Sequence, residues 1–259
     1  MDITELFGVR GKVAIVTGGS RGIGAMIARG LVTNGVRTYI SARKAEACDA
    51  MAAELSELGA CYSIPADLST DEGVARLSSA FAEREDRLHI LVNNAGAAWG
   101  APLGEFPASG FDKVMGINVK APFMLTQALL PQLRLAATPD DPSRVIMIGS
   151  IDGLRVPFGD NYSYSAAKAG VHMLARHLGR QVVTDHITVN TIAPGPFESK
   201  MMAYMLDDPA SRAAVERSNP RGRIGSPEDI AGAVIFLASR AGAFTTGAVI
   251  PVDGGMSTL

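Results

Sequence analysis

In the segment NYSYSAAKAGVHMLARHLG, Tyr164 and Lys168 stand at i and i+4. On a helix both side chains share one face, with Cβ atoms about 5 to 6 Å apart. A phenol titrates near about 10, and an adjacent ammonium stabilises phenolate, so the spacing predicts a tyrosine whose pKa is lowered and which works as an acid near neutral pH. An ordinary surface pair would show the same spacing, so the neighbours decide. Ser150 closes the apolar run RVIMIGS, where a hydroxyl can donate to a substrate carbonyl. Asn118, in GINVKAPF, falls on a helix between the fourth and fifth apolar runs, where its amide could order a water beside the lysine. Tyr162 lies two residues before Tyr164 but has no lysine four residues on, and reads as pocket wall. An acid, a polarising hydroxyl and a cation in one constellation suit proton transfer at a carbonyl or alcohol.

A second set of residues suits a nucleotide. TGGSRGIG follows the first apolar run and opens a helix-forming stretch, AMIARGLVTNG. In a strand, turn and helix, Gly18 allows the tight turn, Gly22 lets backbone approach a pyrophosphate, and Gly24 allows close helix packing. Ser20, Arg21 and Ile23 complete the turn, and the helix N-terminus offers free N–H donors to the anion. A 2′-hydroxyl is commonly held by an acid at the end of the second strand, whereas a 2′-phosphate needs cations. Here RTYISARK places Ala42 and Arg43, with Arg21 able to approach the same point, so NADP(H) is favoured over NAD. The alternative is that both arginines are merely solvated. Asp67 in ADLS could accept from an adenine amino group or simply cap the helix starting near Ser69 or Thr70. Asn94, Ala95 and Gly96 follow the fourth run, at a carboxyl end where such sheets bind ligands.

These residues need a frame. Apolar runs recur at 12 to 17, 37 to 41, 61 to 65, 89 to 93, 144 to 150, 187 to 193 and 248 to 252, with amphipathic stretches between them. Continuous apolar runs suit parallel strands buried on both faces. The alternation predicts an α/β fold: a single-domain, Rossmann-type doubly wound parallel sheet of about seven strands over residues 1–259. The rhythm breaks at 194–226, which is punctuated by proline yet carries two short helical patterns. It reads as an insertion over the strand ends, with 197–215 a mobile lid. Met201, Met202, Tyr204, Met205 and Leu206 form an apolar cluster there, suited to an acyl chain or simply to packing the lid on the body. Trp99 and residues 154–158 are placed as opposite walls.

Composition narrows the function. The 259 residues are 47% hydrophobic and 19% charged, with 24 Lys plus Arg against 26 Asp plus Glu, so no broad basic field draws nucleic acid. Cys48 and Cys61 form no paired motif, which fits a reducing cytoplasm. No apolar run is long enough to cross a bilayer, and MDITELFGVRGK lacks the pattern of an export signal. The four histidines never take a zinc spacing, so no metal is expected.

TGGSRGIG, NNAG, Asn118, Ser150, YSAAK and the later APG together resemble the short-chain dehydrogenase/reductases, along essentially the whole chain. Within that family SARKAEAC, IPADLS, NNAGAAWG and VIPVDGG resemble the 3-oxoacyl-(acyl carrier protein) reductases, the rhamnolipid-associated β-ketoacyl reductases among them. The resemblance implies strand order 3-2-1-4-5-6-7 and a tetrad of Asn118, Ser150, Tyr164 and Lys168, with Tyr164 as proton donor. It also implies a cofactor cleft formed by Gly18, Ser20, Arg21, Gly22, Ile23, Gly24, Arg43, Asp67, Leu68, Asn94, Ala95, Gly96, Tyr164, Lys168, Pro194 and Gly195. Ser199, where many members have a Thr that holds the carboxamide, completes the implied cofactor set. Trp99, Asp152, Tyr162, Met201 and Met205 are the substrate candidates. The implied activity is NADPH-dependent reduction of a ketone, a 3-oxoacyl thioester or related β-keto compound, with acyl carrier protein as a possible partner and a homotetramer as the assembly. A dehydrogenase oxidising a sugar, steroid or other secondary alcohol is the enzymatic alternative, and a non-catalytic nucleotide sensor the other.

Overall fold

The computed structural model describes residues 1–157, 159–200 and 202–258, apart from the side chain of Tyr204. After a short turn of helix, α1 (Ile3–Leu6), strand and helix alternate: β1 (Val13–Thr17), α2 (Gly22–Thr33), β2 (Arg37–Ser41), α3 (Ala45–Ser56), β3 (Cys61–Ser63), α4 (Asp71–Ala82) and β4 (Ile90–Asn93). The chain continues through α5 (Ala108–Met115), α6 (Ala121–Ala128), α7 (Leu130–Ala136), β5 (Ser143–Ile148), α8 (Tyr162–Val182) and β6 (Ile187–Pro194). It closes with α9 (Ala203–Leu206), α10 (Pro209–Ser218), α11 (Pro227–Ala238) and β7 (Val249–Val252). The seven strands are parallel and lie in the order β3-β2-β1-β4-β5-β6-β7.

Every residue of β1, β4, β5 and β6 is buried, as continuous apolar runs covered on both faces require. One layer of the core joins Val16, Ile40, Val92 and Ile192 to Ile27 and Leu31 of α2 and Ile230 and Val234 of α11. The other joins Ile15, Leu91, Val145 and Val189 to Leu77 of α4, Leu125 of α6 and Val171 of α8. The order reverses between β1 and β4, so the chain after each of these strands diverges to opposite sides and leaves a crevice at their carboxyl ends.

Two boundaries differ from the sequence reading. The helix expected to carry Asn118 is broken: Gly116–Lys120 is one π-helical turn between α5 and α6, and a second break at Leu129 precedes Pro131 in α7. Proline lacks the N–H and favours a first helical turn, so Pro122 and Pro131 each restart a helix rather than continue one. The other concerns α4, whose N-cap is Thr70, its hydroxyl accepting from Gly73 N–H at 3.0 Å; Asp67 does not cap it.

Candidate active site

Ser150 leaves the end of β5 and caps a 3-10 turn at Ile151–Gly153, its hydroxyl accepting the Asp152 N–H at 3.1 Å. The turn lies flat on α8: a Cβ at Gly153 would stand 2.6 Å from the carbonyl carbon of Lys168. Ser150 and Tyr164 thereby meet, near enough for the Ser150 hydroxyl to act on the phenol. Lys168 is buried, donates from Nζ to the Ile148 carbonyl at 2.8 Å, and sits 5.4 Å from the centre of the Tyr164 ring.

The electrostatics correct the sequence reading. Burial pushes the Tyr164 phenol up to about 12, against the pull of the Ser150 hydroxyl, and the Asp152 charge adds to the rise. Lys168 is itself pushed down to about 8 by burial, with Asp152 opposing the drop. Desolvation penalises the charged form of each group, and the ammonium lies over the ring face, drawn to a strand carbonyl. The tyrosine is therefore a fully loaded acid at neutral pH.

Asn118 occupies the π turn and is buried. Its Nδ2 donates to Ala97 O at 2.8 Å and Val114 O at 2.9 Å, while Oδ1 has no partner among the described residues. A Cβ at Gly96 would come within 2.6 Å of that oxygen, so the glycine leaves it room. Buried carbonyl oxygens are rarely left without a partner, which fits an acceptor reserved for a water.

The glycine turn has the shape an anion needs. Gly18 and Gly22 take positive φ of 65° and 53°, and a Cβ at Gly24 would overlap the Gly18 carbonyl. Arg21 stands at the N-cap of α2 without a side-chain cap, which leaves the first N–H groups of that helix available. The turn is held from the side: Asn94 Nδ2 donates to Thr17 O at 2.8 Å, and the N–H groups of Asn94 and Ala95 both donate to the Thr17 hydroxyl at 2.9 Å. Ser20 and Ile23 are half-buried in the turn and Leu68 is buried nearby. Arg21 and Arg43 are exposed and make no ion pair among the described residues. Asp67 accepts from the Ser69 N–H and hydroxyl at 3.1 and 2.7 Å, which with the nearby Arg43 cation holds its carboxyl below the usual range. Pro194 ends β6, Gly195 donates to Val252 O at 3.0 Å, and Ser199 lies 3.1 Å from where a Cβ of Gly22 would be. A cavity of about 550 Å³ opens between the glycine turn and Ser199, Lys200 and Ala203. Two clamped glycines, bare N–H donors and unpaired guanidinium groups fit a phosphorylated dinucleotide.

The substrate candidates are brought only partly together. Asp152 adjoins Ser150 and receives Asn161 Nδ2 at 3.2 Å. Tyr162 is exposed, with its hydroxyl on Asp160 and its ring 5.9 Å from Phe106. Trp99 lies beneath the Lys113 ammonium, on the loop whose Ala101 N–H reaches Asp160 O at 3.1 Å, so the two aromatics share one rim. Met205 is half-buried on α9. Met201 and Phe158 lie outside the described residues. Three contributors went unread in the sequence: the Thr17 hydroxyl, Asn161, and His172, whose imidazole fills the space beside Gly149 and Gly153.

A parallel seven-stranded sheet with a glycine turn after β1 and a Ser, Tyr and Lys cluster beyond β5 defines a nucleotide-dependent oxidoreductase fold. A profile of the family described as enoyl-(acyl carrier protein) reductase matches residues 18–257, and the chain belongs to the short-chain dehydrogenase/reductases. The rhamnolipids biosynthesis 3-oxoacyl-[acyl-carrier-protein] reductase of Pseudomonas aeruginosa is 50% identical over 249 residues, 96% of this chain and 97% of that protein. The structure of the Pseudomonas aeruginosa RhlG/NADP active-site complex superposes with a TM-score of 0.95 at 49% identity, over 98% of this chain and 99% of that one. A gluconate 5-dehydrogenase from Burkholderia cenocepacia, in complex with NADP and tartrate, superposes at 0.91 with 30% identity over 100% of both chains.

Proposed function

We propose that this protein is a cytoplasmic, homotetrameric NADPH-dependent carbonyl reductase acting on 3-oxoacyl thioesters or related β-keto compounds, with acyl carrier protein as a partner. The observation that carries the reading is the cluster beyond β5, where Ser150 acts on the half-buried Tyr164 phenol and the buried Lys168 Nζ stands 5.4 Å from its ring. An acid that keeps its proton at neutral pH suits reduction, whereas oxidation would need the phenolate and would speed up as pH rises. NADPH, when bound, supplies the hydride for the carbonyl carbon. Ser150 polarises the carbonyl oxygen and Tyr164 hands its proton to it. Lys168 stands next in line, and Asn118 Oδ1 is the acceptor for a water that returns a proton from solvent. Gly18, Gly22 and Gly24 with the α2 N-terminus would seat the pyrophosphate, and Arg21 and Arg43 would hold the 2′-phosphate by charge-assisted hydrogen bonds. Support for the thioester comes from the 50% identical Pseudomonas aeruginosa enzyme, and for NADP from the RhlG complex. The free, buried thiols of Cys48 and Cys61 suit a reducing compartment, and no helix among the described residues is long and apolar enough to cross a membrane.

The test is loss of reduced-nicotinamide absorbance with a 3-oxoacyl thioester and simple ketones, NADPH and NADH in parallel. Rapid thioester reduction with NADPH is expected. Preference for NADH overturns the arginine assignment, and reduction of simple ketones alone overturns the acyl assignment. Tyr164→Phe is expected to lose about 10²- to 10⁴-fold in kcat, the usual share of a positioned proton donor; full activity would remove Tyr164 from the mechanism.

A further inference from the structure

The proposed proton transfer requires Ser150 and Tyr164 at one fixed separation, yet Ser150 stands on the turn after β5 and Tyr164 on the first turn of α8. We infer that Asp152 is a positioning residue: its carboxylate, bridged to Asn161, latches the Ser150 turn to the head of α8 and holds a negative charge beside Tyr164 and Lys168. This rests on the reductase reading above.

Asn161 is the N-cap residue of α8, but its side chain makes no cap bond. The carbonyl of Asn161 takes the N–H groups of Tyr164 at 2.9 Å and Ser165 at 3.1 Å, and Nδ2 is left to donate to Asp152 Oδ2 at 3.2 Å. A residue whose backbone seats the tyrosine is thereby fastened through its side chain to the turn carrying the serine. At the other end of the turn the Asp152 N–H occupies one lone pair of the Ser150 oxygen, which restricts where the hydroxyl proton can point. Gly153 lies directly on the helix, with His172 Cε1 2.8 Å and the Lys168 carbonyl carbon 2.6 Å from its missing Cβ. Without slack in that contact, movement at Asp152 becomes movement at Ser150.

The charge is a separate contribution. Burial pushes the Asp152 carboxyl up, while Asn161, Arg155 and Lys168 hold it down. The charged and titratable groups around it are Arg155, just past its own turn, and Tyr164 and Lys168 from α8, with His172 one turn beyond Lys168. Asp160 is turned outward onto Tyr162. The Asp152 charge raises the proton affinity of both Tyr164 and Lys168, so it keeps the acid loaded and the ammonium charged against the cost of burial.

Two variants separate latch from charge. Asp152→Asn keeps an acceptor oxygen for Asn161 and removes the charge, and should move the alkaline limb of the kcat profile to lower pH by about one unit, as expected for one charge at close range in a partly solvated site. Asn161→Ala keeps the charge and cuts the bridge, and should lower kcat about tenfold with that limb unmoved and NADPH binding intact. Asp152→Ala should show both effects, and serves if Asn161→Ala fails to fold. An unmoved limb in Asp152→Asn, or wild-type kcat in Asn161→Ala, overturns the proposal. If the wild-type protein reduces no ketone, the reductase reading is the one that has failed. Phenolate difference absorbance, with Tyr164→Phe as blank, then still decides the charge contribution: a lower midpoint in Asp152→Asn supports it, and identical midpoints overturn the proposal.

Discussion

His172 stands one helical turn beyond Lys168 and is 4% exposed, its Nε2 without a partner among the described residues. Burial first, then the Lys168 and Arg176 cations, push its pKa down from 6.5 to about 4. A histidine with a depressed folded-state pKa takes up its proton in the unfolded chain first, so its contribution to stability is complete above 6.5 and is lost as pH falls toward about 4. The full window corresponds to about 3 kcal/mol, of which about 2 should be gone at pH 5. Denaturant unfolding at pH 7 and pH 5 should therefore show a larger loss for the wild-type protein than for His172→Gln, which cannot titrate there; equal losses would remove His172 as the cause. The sequence could not announce this residue, because a lone histidine in a helical run looks like any core position. Tyr164 and Lys168 were legible from their spacing, but the sign of the phenol shift was not. An i, i+4 pair fixes which side chains are neighbours, and the direction in which Lys168 points is set by the Ile148 carbonyl on another element.

Strands and most helices could be read from periodicity because each βα unit carries its own apolar pattern and its own turn. What periodicity missed is local: the π turn that aims Asn118 inward has the same residue types as a regular helix, and only its neighbours reveal it. The segment from Pro194 to Ser226 shows a similar limit. Its two short helices, α9 and α10, were legible, while its attachments were not. Phe197 is buried and pairs in a bridge with Gly225, where a Cβ would overlap the ring, and Arg212 ties Glu198 and the Leu206 carbonyl together at 2.9 and 3.2 Å. Ser199 is carried on this same segment against Gly22. A lid fastened at Phe197 and free to settle on a cofactor predicts that amide exchange across 197–215 slows when NADPH is added, by tenfold or more for the slowest amides. Protection unchanged by NADPH would make the segment a fixed wall.

At the scale of the molecule the sheet buries its apolar residues, yet one helical layer does not. Phe111 on α5, Phe123 on α6 and Met173 on α8 are 40%, 37% and 60% exposed, all on the side of the sheet opposite α2 and α11. Phe244, in the connection between α11 and β7, is fully exposed. Scattered apolar residues need no explanation, but three on adjoining helices of one layer form a surface that association would take out of water at about 25 cal/mol per Å². The formal charge of −2 offers little repulsion against self-association. None of this was visible in any one stretch of sequence, because the face is assembled from three helices that the sheet brings side by side. Four chains associating in this way would give a particle of about four times 27.1 kDa by light scattering. The double variant Phe123→Asp, Met173→Glu places like charges in the face and should yield a smaller species that still binds NADPH, since neither residue lies in the cofactor cleft. A wild-type protein that scatters as a single chain would overturn the tetramer, and a double variant of unchanged mass would move the contact to another face, with Phe244 the next position to charge.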